Sequence, residues 1–418
     1  MTDSRKRWIA IVITIAVLAI LAMVAAAALV PGNSAQKITS IPAVNSPSDR
    51  DLFPDKAYPE FANGYSVEYH GTYKVVRTYD PTRGNSGSHT YVLVQRGENI
   101  PEGYPDAQVF FIPVESVITM SSVNVAVLGE LNEMSAIRGN VNNNLVLNDT
   151  FQELAKAGKI TEVGSGTMAM SNNFQTEKMV ELSPDLVFCT EGGGQQQNIE
   201  PKLTETGLRP VLTQASTEDT PLGRAEWIKY YAYFFNKEKD ANTVFDQVKT
   251  NYQAIADKVK NVSNRPTIIS GLTVQGIWYV PGSRSYAARF FKDAGGDYVL
   301  SNYTGGGNTP IAFETVYEKG QNADVYLNPG MVGVGGGIDA LLAQDSRFGK
   351  FKSVQTGAVY HFDARQNEFG SLDYWYSGNI RPDIILADLV KILHPDVLPD
   401  HHLYYYRQVG SGITGDTP

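Results

Sequence analysis

With one cysteine in 418 residues, Cys189, the chain can form no internal disulfide. Cys189 stands inside an apolar run and reads as a small core residue, not a reactive thiol. Positive charge is also in deficit. The 35 Lys and Arg against 44 Asp and Glu give a formal net charge of −9 and a pI near 5.3, which excludes the basic stripe a nucleic-acid partner requires. Catalytic signatures are missing: no Gly-x-Ser-x-Gly elbow, no His-Glu-x-x-His, no Cys-x-x-Cys and no Walker A loop. The glycine triplets beginning at Gly192, Gly305 and Gly335 lack the Lys and Ser or Thr of a phosphate loop. His70, His89, His361, His394, His401 and His402 are scattered, with nothing at helical spacing to complete a metal shell. The expectation is a non-enzymatic protein without catalytic residues, resident metal or cofactor.

What the chain does have begins with Arg5, Lys6 and Arg7, then an apolar run from Trp8 to Val30 closed by Pro31 and Gly32. As a helix this run reaches about 33 Å, enough to cross a hydrocarbon core of about 30 Å. The basic flank stays inside, so the rest of the protein is delivered to the outer face of the cell membrane, anchored there or released if the segment is a cleaved signal. No second run of this kind follows, and no cysteine stands after it to carry a lipid. Residues 31–60 hold five prolines among Ser, Asn and Asp, which reads as a flexible linker.

From Tyr65 the pattern alternates, with strands expected over 73–79 and 90–95 and a turn rich in Gly and Ser between them. After Met120, short apolar strands alternate with helical runs, as in Asp185-Leu-Val-Phe-Cys-Thr190 followed by Ile199 to Thr206. That alternation predicts a parallel sheet covered on both faces. Residues 221–262 are almost wholly helical, with Trp227, Tyr230, Tyr231, Phe234 and Phe235 at spacings of three and four. Beyond them the βα alternation resumes, through strands at 267–270, 323–327 and 358–362 to a helix over 383–393. The divisions are thus 1–30 (transmembrane anchor or signal), 31–60 (linker), 61–220 (N-terminal α/β lobe), 221–262 (connecting helix) and 263–410 (C-terminal α/β lobe).

Ligands of open α/β sheets bind beyond the carboxyl ends of the strands. The segments expected there are Thr190-Glu-Gly-Gly-Gly-Gln-Gln-Gln197, Trp278-Tyr-Val-Pro-Gly-Ser-Arg-Ser-Tyr286, Tyr303-Thr-Gly-Gly-Gly307 and Asp373-Tyr-Trp-Tyr-Ser-Gly378. Glycine admits close backbone approach, and Trp or Tyr offers a flat apolar face with a polar edge. The expected ligand-binding residues are Glu191, Trp278, Tyr279, Arg284, Tyr286, Tyr303, Tyr374, Trp375 and Arg381. Arg284 and Arg381 are expected to grip the oxygen edges of an anionic chelate while the tryptophans cover its faces. The competing reading makes Trp278 and Trp375 buried anchors of their loops, and Arg381 a holder of the loop before it.

From about Val109 to Tyr406 the chain resembles the class III solute-binding proteins of ABC importers, the group that captures iron–siderophore complexes, haem and cobalamin. The marks are Pro113-Val-Glu-Ser-Val-Ile-Thr-Met-Ser121, Glu181-Leu-Ser-Pro-Asp-Leu-Val187, Arg224-Ala-Glu-Trp227, the Trp278–Tyr286 segment with Ala294-Gly-Gly296, Phe313-Glu-Thr-Val316 and Arg381-Pro-Asp through His394-Pro395. The resemblance implies two doubly wound α/β lobes joined by a long rigid helix, with a metal chelate such as an iron–siderophore held in the cleft between them. Cobalamin or haem is the alternative cargo, and a surface metallocofactor-processing enzyme is the alternative from another class. The implied partners are the importer's permease and its ATPase, with one acidic residue per lobe docking on the permease. Glu314 stands at the second-lobe position and Glu200 is the choice for the first, with Glu205 next.

Overall fold

The computed structural model describes residues 50–79, 88–165, 174–189, 199–274, 277–305, 308–329 and 336–410. The expected anchor and most of the linker, residues 1–49, and the expected ligand residue Glu191 lie outside the described residues. No described helix is long and apolar enough to cross a membrane. The described chain divides into two compact units, residues 50–218 with 222–246, and residues 219–221 with 247–410.

The N-terminal unit carries two sheets. Strands β1 (Tyr65–His70), β2 (Tyr73–Tyr79), β3 (Ser88–Gln95) and β4 (Gln108–Ile112) pair in that order, antiparallel except for the parallel β3–β4 pair. Strands β5 (Val117–Thr119), β6 (Ile137–Asn140), β7 (Thr161–Glu162), β8 (Leu186–Cys189) and β9 (Pro210–Leu212) form a parallel sheet in the order β7-β6-β5-β8-β9. The order runs outward from β5 in both directions, as expected of a doubly wound sheet. Cys189 is buried in its core with Ile118, Met120, Val187 and Leu212.

The helix Pro221–Phe235 is buried almost all round, because three tyrosines, a tryptophan and two phenylalanines leave it no polar stripe. Two carboxylates then tie the chain entering β1 onto it. Glu226, fully buried, accepts from the backbone N–H groups of Glu60 (2.9 Å), Phe61 (2.6 Å) and Ala62 (2.8 Å) and from Lys229 Nζ (2.7 Å). Glu218 accepts from Asn63 N (2.9 Å), Gly64 N (2.8 Å) and Trp227 Nε1 (3.1 Å), and burial pushes its carboxyl up. Residues 50–60, expected as the end of a flexible linker, are therefore partly packed, with Phe53 and Ala57 buried. A polar, proline-rich composition conceals this, since the segment is held through its backbone.

The long helical run breaks at Asn236, whose φ is +55°, and resumes as Glu238–Val259, which passes from one unit into the other. Lys74 closes the break. Its Nζ pairs with Glu238 and donates to Tyr233 O (2.9 Å) and Asn236 Oδ1 (2.9 Å), while burial pushes the ammonium down to about 8.

In the C-terminal unit, strands β10 (Thr267–Ser270), β11 (Leu272–Val274), β12 (Ile277–Pro281), β13 (Asp297–Tyr298), β14 (Asn308–Ala312), β15 (Val325–Leu327), β16 (Val359–His361) and β17 (Arg407–Gln408) make two sheets. The larger has the order β13-β10-β15-β16-β17, parallel except for β17, and the smaller is the antiparallel β11-β12-β14. The smaller sheet was not expected. Trp278 and Tyr279 sit in its central strand, not in a loop, because Ile277-Trp-Tyr-Val280 suits a pleated surface. The helix Pro382–Leu393 starts on Pro382 and is buried along most of its length.

Candidate functional site

The carboxyl ends of β10, β15 and β16 in the C-terminal unit lead into Gly271, Asn328 and Phe362. Gly271 has φ +118°, and a Cβ there would lie 2.3 Å from Tyr279 O, so only glycine fits. Asn328, also at positive φ, donates from Nδ2 to Tyr406 OH (3.3 Å). Phe362 stacks on Tyr374 with ring centroids 4.3 Å apart and planes at 19°. Trp375 meets Phe362 edge-on at 5.4 Å and Tyr374 at 4.8 Å. Tyr405 and Tyr406 stand edge-on to Tyr374 at 6.1 and 6.0 Å. This cluster keeps Trp375 44% exposed, and Phe369 in the neighbouring loop 56% exposed. Asp373–Tyr376, expected as loop, is a short helix that projects Tyr374 into the cluster and leaves Trp375 outward.

Three guanidinium–carboxylate pairs surround the rings. Arg365 Nε reaches Asp373 Oδ2 at 2.9 Å and lies over the Tyr404 ring. Arg381 engages Asp383 through Nε (3.1 Å) and Nη2 (3.0 Å). Arg407 Nη2 meets Asp363 Oδ2 at 2.7 Å, and His361 Nδ1 lies 3.2 Å from Asp363 Oδ1. Burial alone would push the Asp363 carboxyl up, but the His361 ring and the Arg407 guanidinium outweigh it and hold the group below its ordinary value. A folded value below the unfolded one means this pairing stabilises above pH about 4 and is lost as pH falls through the folded value. Asp363→Asn should therefore be destabilised at neutral pH, with the deficit closing in acid. Urea unfolding at a series of pH values checks this, and a deficit independent of pH would contradict it.

The expected site residues divide. Tyr374 and Trp375 come together as described. Trp278 is fully buried between Tyr326, Phe313, Phe348 and Phe351, with Nε1 donating to Ser270 O (3.2 Å), so it anchors its sheet and presents no face to a ligand. Tyr279 and Tyr286 are buried as well, and Tyr303 is half-buried. Arg284 is exposed, its backbone N–H bonded to Gly305 O (3.0 Å). Arg381 is not the open fork expected, because Asp383 two residues on occupies it. Asp363, Arg365 and Arg407 were not anticipated, although the rule of strand ends points to the segment after Phe362.

In the N-terminal unit the strand ends carry Asn124, Thr213 and Gln214. Asn124 Nδ2 donates to Tyr231 OH (2.7 Å), and neither amide atom of buried Gln214 has a hydrogen-bond partner among the described residues. Glu314 lies in the first turn of the helix Phe313–Gly320 with its side chain 79% exposed, 3.5 Å from Arg347. Glu200 is only 20% exposed, because His89 of β3 lies 3.5 Å from it. Among the described residues no group of three or more His, Cys, Asp and Glu side chains could hold a metal ion.

Comparison with known proteins gives three kinds of likeness. The chain is 29% identical over 319 residues to an uncharacterized lipoprotein of Methanocaldococcus jannaschii, covering 74% of this chain and 72% of that one. A second uncharacterized lipoprotein of that organism is 27% identical, with 84% of each chain covered. Its fold is similar to a possible iron-binding periplasmic solute-binding protein from Staphylococcus epidermidis (TM-score 0.51, 16% identity, 67% of this chain and 98% of that one). It is also similar to Helicobacter pylori CeuE with Ni(II) bound (TM-score 0.52, 18% identity, 73% and 92%) and to a periplasmic haem-binding protein from Pseudomonas aeruginosa (TM-score 0.51, 15% identity, 73% and 100%). The family model described as periplasmic binding protein matches residues 118–366, over half of the chain. The protein belongs to the periplasmic binding protein family.

Proposed function

We propose that this protein is the extracytoplasmic receptor of its importer, capturing an iron chelate of the siderophore kind and delivering it to the permease. The observation that carries the reading is the exposed aromatic face at the strand ends, where Trp375 stands on Tyr374 and Phe362. A flat apolar surface rimmed by polar pairs suits the apolar sections of a chelate whose metal is already wrapped by its own ligands. The lipoprotein names of the archaeal relatives and the apolar run Trp8–Val30 both support a location outside the membrane.

Tryptophan fluorescence should be quenched by a ferric chelate at micromolar concentration or below. Trp375→Ala should weaken that binding by more than about 1 kcal/mol, the scale of a lost aromatic contact. Trp278→Ala should act differently, lowering stability by about 3 kcal/mol as a core cavity. Unchanged affinity in Trp375→Ala would remove the aromatic face from the site. Absorbance of protein purified from native cells separates the alternatives, because haem and cobalamin have bands that ferric siderophores lack.

Glu314 is the proposed docking carboxylate of the C-terminal unit, with Glu200 its counterpart in the N-terminal unit. Glu314→Lys should leave chelate affinity intact and reduce uptake by cells severalfold, since a rim charge acts on encounter with the partner. Loss of chelate binding in that variant would place the residue in the ligand site instead.

A further inference from the structure

We infer that the strand-end face of the C-terminal unit selects an uncharged or cationic chelate over an anionic one, an inference that rests on the receptor function proposed above. The reason lies in how the arginines are spent. Arg365, Arg381 and Arg407 each already hold a carboxylate, Asp373, Asp383 and Asp363 respectively. All three carboxylates are buried, so an incoming anion that drew a guanidinium away would leave an aspartate desolvated and unpaired. Glu368, exposed in the loop that carries Phe369, adds one further negative charge. Among the described residues, the face thus sets three guanidinium groups against four carboxylates. Counting Arg284 as well, which has no carboxylate partner among the described residues, brings the balance only to zero. Exposed Trp375 and half-buried Phe362, backed by the buried Tyr374, meanwhile present ring surface that attracts cations and accepts apolar surface of any charge. A trianionic ligand therefore finds apolar contact here without compensating charge, whereas a neutral one loses nothing.

The test compares two iron(III) complexes of known charge, a neutral tris-hydroxamate and a trianionic tris-catecholate, binding to the full chain in detergent. The hydroxamate should bind at least about tenfold more tightly, and added salt should narrow the gap by screening the repulsion. Asp383→Asn, close in shape, removes the negative charge paired with Arg381 and should shift the ratio of the two affinities toward the catecholate by about fivefold. Glu368→Gln, at an exposed position where folding is not at stake, should shift it in the same direction. Equal or tighter binding of the catecholate to the wild type overturns the inference while the receptor function stands. So does a ratio unmoved in both variants. Binding of neither complex overturns the receptor reading, and this inference with it.

Discussion

Asp388→Ala should destabilise the C-terminal unit by about 4 kcal/mol, the cost of breaking a buried charge that several donors share. The carboxylate sits fully buried in the middle of the helix Pro382–Leu393. It accepts from the backbone N–H groups of Tyr404 (2.9 Å), Tyr405 (2.7 Å) and Tyr406 (3.0 Å), and His401 Nε2 lies 2.7 Å away. These contacts hold the segment that supplies Tyr405 and Tyr406 to the aromatic cluster and Arg407 to Asp363. Truncation leaves three backbone donors without an acceptor, so the loss exceeds that of one hydrogen bond. Asp388→Asn should recover only part of it, since the amide keeps one acceptor and turns its N–H groups toward the remaining donors. Urea unfolding followed by the fluorescence of Trp278 and Trp375 measures both variants, and wild-type stability in Asp388→Ala would mean the clamp contributes nothing.

Glu226→Ala should cost the N-terminal unit a comparable amount, about 3–5 kcal/mol. Its carboxylate satisfies three successive backbone N–H groups, those of Glu60, Phe61 and Ala62, as well as the Lys229 ammonium, which is itself buried. Removal leaves a desolvated cation over the Phe245 ring and frees the chain that enters β1. Glu226→Gln keeps an acceptor but not the charge and should fall between. Amide hydrogen exchange reads this directly: protection at Phe61 and Ala62 should drop sharply in Glu226→Ala, and unchanged protection there would refute the role.

Glu226 and Asp388 both lie within stretches that mark the family resemblance, Arg224-Ala-Glu-Trp227 and Arg381 to Pro395. Their presence could be read along the chain, but their partners could not. Glu226 binds backbone 164 to 166 residues away and Asp388 backbone 16 to 18 residues on, and an N–H donor leaves no trace in residue type. The same holds for Lys74, an ordinary polar member of an alternating strand until Glu238 and Asn236 meet it.

The sequence alone determined the alternating α/β plan, the two lobes, the family and the core placement of Cys189, because hydrophobic period and glycine placement are local properties. Tyr374 and Trp375 were also legible, as aromatics in a segment of polar and turn-forming residues. Only the tertiary structure decided which aromatics stay exposed. Trp278 and Trp375 look alike in sequence, yet one fills the space between Phe313, Tyr326, Phe348 and Phe351 and the other stands 44% exposed. It also decided the charge of the face, since Arg407 is a cation in any reading of the chain and becomes half of a neutral pair only when Asp363, 44 residues away, is brought against it. Burial and pairing depend on what the fold packs against a side chain, and that information is spread over the whole sequence.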